Sequence, residues 1–150
     1  MDYEIVTLER KTVSGFSART SNSSPDMGAV IGGLWQRLYS PENMGRIKGR
    51  VNEKSIGLYT DYSAGDKGEY TVLAGFEVAA GSGNSEESRI IPGGKYAKFV
   101  VRGNMVTAVN DFWERLWKTD LSRAFVCDFE EYQNDDPKNC EIHIYIGLSE

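Results

Sequence analysis

Leu34-Trp35-Gln36-Arg37-Leu38-Tyr39 returns 78 residues further on as Phe112-Trp113-Glu114-Arg115-Leu116-Trp117, and Met27 and Met105 keep the same separation. A repeat of this length in a chain of 150 residues implies two copies of one supersecondary unit packed together. The seam between two such copies is a natural place for a ligand cavity.

Working outward, each quoted stretch belongs to an amphipathic helix. In the first, Met27, Val30, Ile31, Leu34, Trp35 and Leu38 fall on one stripe, Asp26 stands in the N-cap position and Pro41 helps end the helix. Gly32-Gly33 inside it weakens the helix by up to about 1 kcal/mol per glycine relative to alanine, which suggests close approach of another backbone. In the second, Asn104 stands as the cap and Met105, Ala108, Val109, Phe112, Trp113, Leu116 and Trp117 form the stripe. Before the first helix, Ile5 to Ala18 is rich in β-formers and reads as one long strand or two short ones bent around Ser14-Gly15. After it, Ser55 to Tyr62 and Tyr70 to Ala79 read as strands joined through Ser63 to Gly68. The second half replays this order with strands from Lys95 to Arg102, Phe125 to Tyr132 and Glu141 to Leu148. The expected fold is α+β, two strand-helix-strand-strand units with pseudo-twofold symmetry, sharing an antiparallel sheet and two main helices. As one domain of residues 1–150, it has a first repeat at about 1–80, a linker at about 81–88 and a second repeat at about 89–150.

Composition narrows the function. Hydrophobic residues at 40% and charged residues at 26% are globular values, and no apolar run approaches the roughly 20 residues of a membrane span. The acidic start, Met1-Asp2-Tyr3-Glu4, is unlike an export signal and points to the cytoplasm. Cys127 and Cys140 are then expected as free buried thiols. With a single histidine, His143, a zinc site lacks ligands, so neither metal nor cofactor is expected. A net charge of −5 argues against direct nucleic-acid binding, and Arg46, Lys48, Arg50 and Lys54 read as a solvated loop.

Alternation sorts the last strand. Ile142, Ile144 and Ile146 share the face that meets the helices, which leaves Glu141, His143 and Tyr145 facing either solvent or a polar-aromatic cavity. In the strand before it Glu130 and Tyr132 share a face, and aligning Tyr62 with Tyr132 makes Thr60 the counterpart of Glu130. The carboxylate is therefore outside the repeated scaffold. The helical spacing of Trp35, Trp113 and Leu116 reads as core, and the acidic cluster around Asp128 also reads as a solvated hairpin end.

The ordered set Ile91-Pro92-Gly93-Gly94-Lys95-Tyr96-Ala97, the Phe112-Trp113 helix, Asp128-Phe129-Glu130-Glu131-Tyr132 and Glu141-Ile142-His143-Ile144-Tyr145-Ile146 resembles the GyrI-like effector-binding domain, with Ala74-Gly75-Phe76-Glu77-Val78 as the corresponding first-repeat strand. That family occurs alone, as in a DNA gyrase inhibitor, and fused to the DNA-binding parts of AraC-type and MerR-type multidrug-responsive regulators. Family members often carry proline where this chain has Glu77 and Gly147. The resemblance uses the whole chain and leaves no helix-turn-helix. It implies a cavity between the halves that takes hydrophobic aromatic cations against a central glutamate. Matched to the motif, the acid is Glu130, with Glu141 second, and Tyr132, Tyr145, His143, Tyr59, Phe76, Trp113 and Trp117 are possible walls. A non-enzymatic sensor or sequestering protein leads. A protein-interaction module of gyrase-inhibitor type, with a protein partner, and a hydrolase using Glu130 with His143 are the alternatives.

Overall fold

The computed structural model describes residues 2–43, 45–65, 67–81 and 87–149. Eight strands and two helices follow in the order β1 (Glu4–Leu8), β2 (Lys11–Ser21), α1 (Met27–Leu38), β3 (Arg50–Thr60), β4 (Glu69–Val78), β5 (Glu87–Ile91), β6 (Gly94–Gly103), α2 (Met105–Trp117), β7 (Arg123–Tyr132) and β8 (Cys140–Leu148). The strands form one antiparallel sheet in the order β1-β6-β8-β7-β3-β4-β2-β5. This is the expected α+β duplication, and its symmetry shows in the order itself, with β3 and β7 meeting at the centre.

The second half carries one strand more than expected, β5, and of the two readings of the segment before α1 the two-strand one holds, with the break elsewhere. The chain breaks at Glu9-Arg10 rather than at Ser14-Gly15, and β2 runs straight through those two residues. The reason lies across the ladder. Gly15 faces Gly75, and a Cβ on either would come within about 2 Å of a backbone oxygen of the other strand, so the glycines serve a close strand contact, not a bend. The short strands are exchanged: β1 pairs with β6 of the second half, and β5 with β2 of the first. Of the expected linker, residues 82–86 lie outside the described residues, and Glu87 and Ser88 belong to β5 opposite Gly15 and Ser14. In the turn between β3 and β4, Asp66 also lies outside them.

The sheet is curled. Val6 and Leu8 of one edge strand and Ile91 of the other pack on a single cluster with Val13, Leu58, Phe129 and Tyr145, which a flat sheet would hold far apart. The helices cover the opposite face. Leu34 and Leu38 of α1 pack on Phe16, Val72, Ala74 and Phe76, and Phe112 and Leu116 of α2 on Phe99, Ile142, Ile144 and Ile146. These are matching positions of the two halves. The isoleucine face meets α2 as expected. Asn104 caps α2 by accepting from the amides of Val106 at 3.0 Å and Thr107 at 3.2 Å, a contact of about 1 kcal/mol, whereas Asp26 makes no such bond to α1.

A buried ion pair within β7 is joined by donors from the segment after β3 and from β8. Asp128, wholly buried, accepts from Arg123 Nη2 at 2.7 Å, from the Tyr62 hydroxyl at 2.5 Å and from the Gly147 amide at 2.9 Å. The acidic hairpin end is thus not simply solvated. Cys127 and Cys140 are free and buried, and burial pushes both thiols up from their ordinary range. No helix among the described residues is long and apolar enough to cross a membrane.

Candidate functional site

Where β3 and β7 meet, Glu130 stands directly opposite Gly57. Glu130 is 2% exposed, on the helix-covered face of the sheet, and its carboxylate is held by three neutral donors. Trp113 Nε1 donates to Oε2 at 2.7 Å, the Tyr59 hydroxyl donates to Oε2 at 3.0 Å, and the Tyr132 hydroxyl donates to Oε1 at 2.8 Å. Two equivalent ring contacts complete the ring around it: Tyr59 meets Trp113 edge-on at 5.3 Å, and Tyr132 meets Trp35 edge-on at 5.2 Å.

These contacts identify the pseudo-twofold axis. Trp35 and Trp113 are counterparts in the repeat, so Tyr59 and Tyr132 are counterparts too, and the Gly57–Glu130 pair lies on the axis between them. The counterpart of Glu130 is therefore Gly57, and the sequence-based pairing with Thr60 is corrected. Thr60 faces Cys127 three steps along the ladder, on the other face, where its hydroxyl bonds the Val126 carbonyl. An axial position has room for one side chain. A Cβ on Gly57 would lie 3.1 Å from Glu130 Oε1 and 3.1 Å from Trp35 Cζ2. Substituting Gly57→Ala is expected to push the carboxylate and the Trp35 ring aside by a few tenths of an ångström. The expected result is little change in melting temperature but a several-fold change in affinity for whatever the cavity holds, measured by tryptophan fluorescence titration.

A cavity of about 790 Å³ lies above this pair, between the two helices. Its walls come in matched pairs: Met27 with Met105, Ile31 with Val109, Trp35 with Trp113, and Tyr39 with Trp117. Tyr59, Glu130 and Tyr132 form the floor, while Tyr62, Tyr70 and Arg123 close one end. Tyr70 donates to Asn22 Oδ1 at 2.7 Å, and its ring centroid lies 5.9 Å from that of Tyr59. Burial pushes the Glu130 carboxyl up from the usual carboxylate range, against the opposing effect of its three donors. Burial and the adjacent Glu130 charge together hold the Tyr59 and Tyr132 hydroxyls protonated, and burial with the same charge pushes Tyr70 up to about 12.

Of the residues named from the sequence, Tyr59, Trp113, Trp117, Glu130 and Tyr132 border this cavity, and Phe76, Glu141, His143 and Tyr145 do not. Phe76 is in the core beneath the Arg50 guanidinium, which lies 3.9 Å from its ring centroid. Tyr145 stacks on Phe129 at 4.6 Å in the cluster on the other face. His143 and Glu141 bond each other at 2.8 Å on that face, with Arg102 on Glu141 at 3.1 Å. Within the ladder His143 is opposite Glu131, so no Glu130–His143 pair forms. Two expectations about α1 also change. Trp35 is a cavity wall as well as scaffold, and Gly32-Gly33 meets no other backbone, with nothing outside the helix's own backbone within 4 Å of either Cβ position. Trp35 and Tyr39 could have been found from the repeat alone, as the partners of Trp113 and Trp117.

A duplicated α+β fold with a cavity between its halves defines a small-molecule-binding domain of the effector-binding class. The chain belongs to the Cass2 family of integron-associated effector binding proteins, whose family model matches residues 4–148. It is similar to the integron cassette protein VCH_CASS2 from the mobile metagenome of Vibrio cholerae, at 27% identity and a TM-score of 0.79 over 98% of this chain and 95% of that one. SAV2435, solved bound to tetraphenylphosphonium, shares the fold at 18% identity and a TM-score of 0.80, over 99% of this chain and 94% of that one. A putative bacterial transcription regulation protein from Staphylococcus aureus MU50 shares it at 19% identity and 0.74, over 98% and 99%. No curated protein matches the chain.

Proposed function

We propose that the chain binds hydrophobic aromatic organic cations in this cavity, with Glu130 as the central acid, and acts without catalysis as a sensor or a sequestering protein. One observation carries the reading: Glu130 is a buried carboxylate whose three hydrogen bonds all come from neutral groups, and among the described residues none of the ion pairs includes it. Such a charge is costly to hold away from water unless a cation arrives to share the site. The walls suit a delocalised cation. Each tryptophan or tyrosine face contributes roughly 0.5 to 2 kcal/mol through its quadrupole when the site is dry. The fold relative SAV2435, solved with a lipophilic phosphonium, supports the same ligand chemistry here.

Tetraphenylphosphonium and rhodamine 6G, titrated into the protein while following tryptophan emission, test this directly. Trp35 and Trp113 border the cavity and Trp113 bonds the acid, so saturable quenching is expected. No saturable change with either cation would remove the reading. The response should also depend on pH. Below its raised folded pKa the Glu130 carboxyl is protonated and neutral, so an incoming cation must first displace a proton. Affinity is expected to fall as pH drops through that value, by close to tenfold per pH unit well below it, while Glu130→Gln stays flat.

A further inference from the structure

Gly28 and Gly32 stand one turn apart on the side of α1 that borders the cavity. Both are exposed, and apart from the backbone of the helix itself nothing lies within 4 Å of the place where either would carry a Cβ. Glycine weakens a helix relative to alanine, and here no close packing offsets the loss. The matching positions on α2 are Val106 and Asn110, which border the same cavity with side chains. The cavity mouth therefore has one furnished lip and one bare lip.

Two charged groups on the same cavity mark it independently as a place for a ligand. Glu130 has no ion pair among the described residues, and Arg123, whose side chain is 9% exposed, binds Asp128 through Nη2 and leaves its buried Nε without a hydrogen-bond partner. We infer that Gly28 and Gly32 set the size limit of the ligand, holding α1 bare so that a cation with several aryl rings around its charge fits between the helices. This rests on the cation-binding reading of the cavity. A slim, flat cation reaches Glu130 without using the bare lip; a propeller-shaped one needs it.

The test compares tetraphenylphosphonium with N-methylquinolinium on wild type, Gly32→Leu, Gly28→Ala and Gly32→Ala, by tryptophan fluorescence. Gly32→Leu should weaken tetraphenylphosphonium by about tenfold or more and N-methylquinolinium by less than about threefold. The alanine variants should melt roughly 2–4 °C higher than wild type, because they gain helix propensity at exposed positions. They should still shift the ratio of the two affinities by about threefold against the bulky cation. The alanine variants thus decide the question even if Gly32→Leu does not fold. Wild type binding both cations through Glu130, with that ratio unchanged in every variant, overturns the role of the glycines alone. Wild type binding neither cation overturns both readings.

Discussion

Glu130→Gln is expected to weaken tetraphenylphosphonium binding about a hundredfold and, at neutral pH, to raise the melting temperature. Two unit charges 4 Å apart attract by roughly 4 kcal/mol at an effective dielectric constant of 20, and keeping about two thirds of this gives two decades of affinity. Glutamine preserves shape: its carbonyl can still accept from Trp113 and Tyr59, and the Tyr132 hydroxyl can turn to accept from the amide. Stability follows from linkage. Folding raises the Glu130 pKa, so the carboxyl's contribution is fully present below the ordinary value of 4.5, where it is protonated in both states. That contribution is lost as pH rises through the folded value, where the buried group ionises. Glutamine never ionises, so the gap in melting temperature between the variant and wild type should open above pH 4.5 and level off once Glu130 is charged. Thermal melts from pH 4 to 8 read this curve. Equal cation affinity in the two proteins would remove the electrostatic role of Glu130, and a melting temperature lower than wild type at pH 8 would show that its hydrogen bonds outweigh its charge.

Two residues away on the same strand, Asp128→Ala should do the reverse and cost about 3–5 kcal/mol. Asp128 shares its buried position with Arg123 at 2.7 Å, and Tyr62 and the Gly147 amide also donate to it. Alanine would leave a nine-tenths-buried guanidinium, a phenol and a strand amide without their acceptor. For a chain of this length each kcal/mol is worth roughly 2–4 °C, so a drop of about 6–20 °C is expected, with Asp128→Asn between alanine and wild type because its carbonyl can still accept. A loss below about 1 kcal/mol in urea unfolding would place the pair with solvent-screened surface bridges. The two acids thus make a matched test: one is a liability to folding, the other a support for it.

How much of this was legible beforehand depended on whether a single strand could carry the information. The helices, their stripes and the split of Ile142, Ile144 and Ile146 from His143 and Tyr145 all follow from periodicity inside one segment. What failed were relations between strands. That Glu130 lies on the isoleucine side, and hence that Glu141, His143 and Tyr145 look away from the cavity, depends on Glu130 standing opposite Ile144. A shift of one residue would exchange the faces, and nothing in either strand alone fixes that register. The same gap produced the pairing of Glu130 with Thr60. The exchange of β1 and β5 was hidden for a related reason: their partners are in the other half of the chain. The glycines of α1 stand out in the sequence, but a helix-weakening residue reads the same there whether another backbone or an open mouth is beside it.

The Gly57–Glu130 pair has a consequence for how such a protein can arise. Two identical subunits related by a true dyad must place the same residue on both sides of it, so a homodimeric ancestor could offer only two glycines or two crowded acids at that point. Covalent fusion lifts the restriction. Once both halves are encoded in one gene, each axial residue mutates separately, and a single negative charge can stand at the centre of an otherwise twofold enclosure.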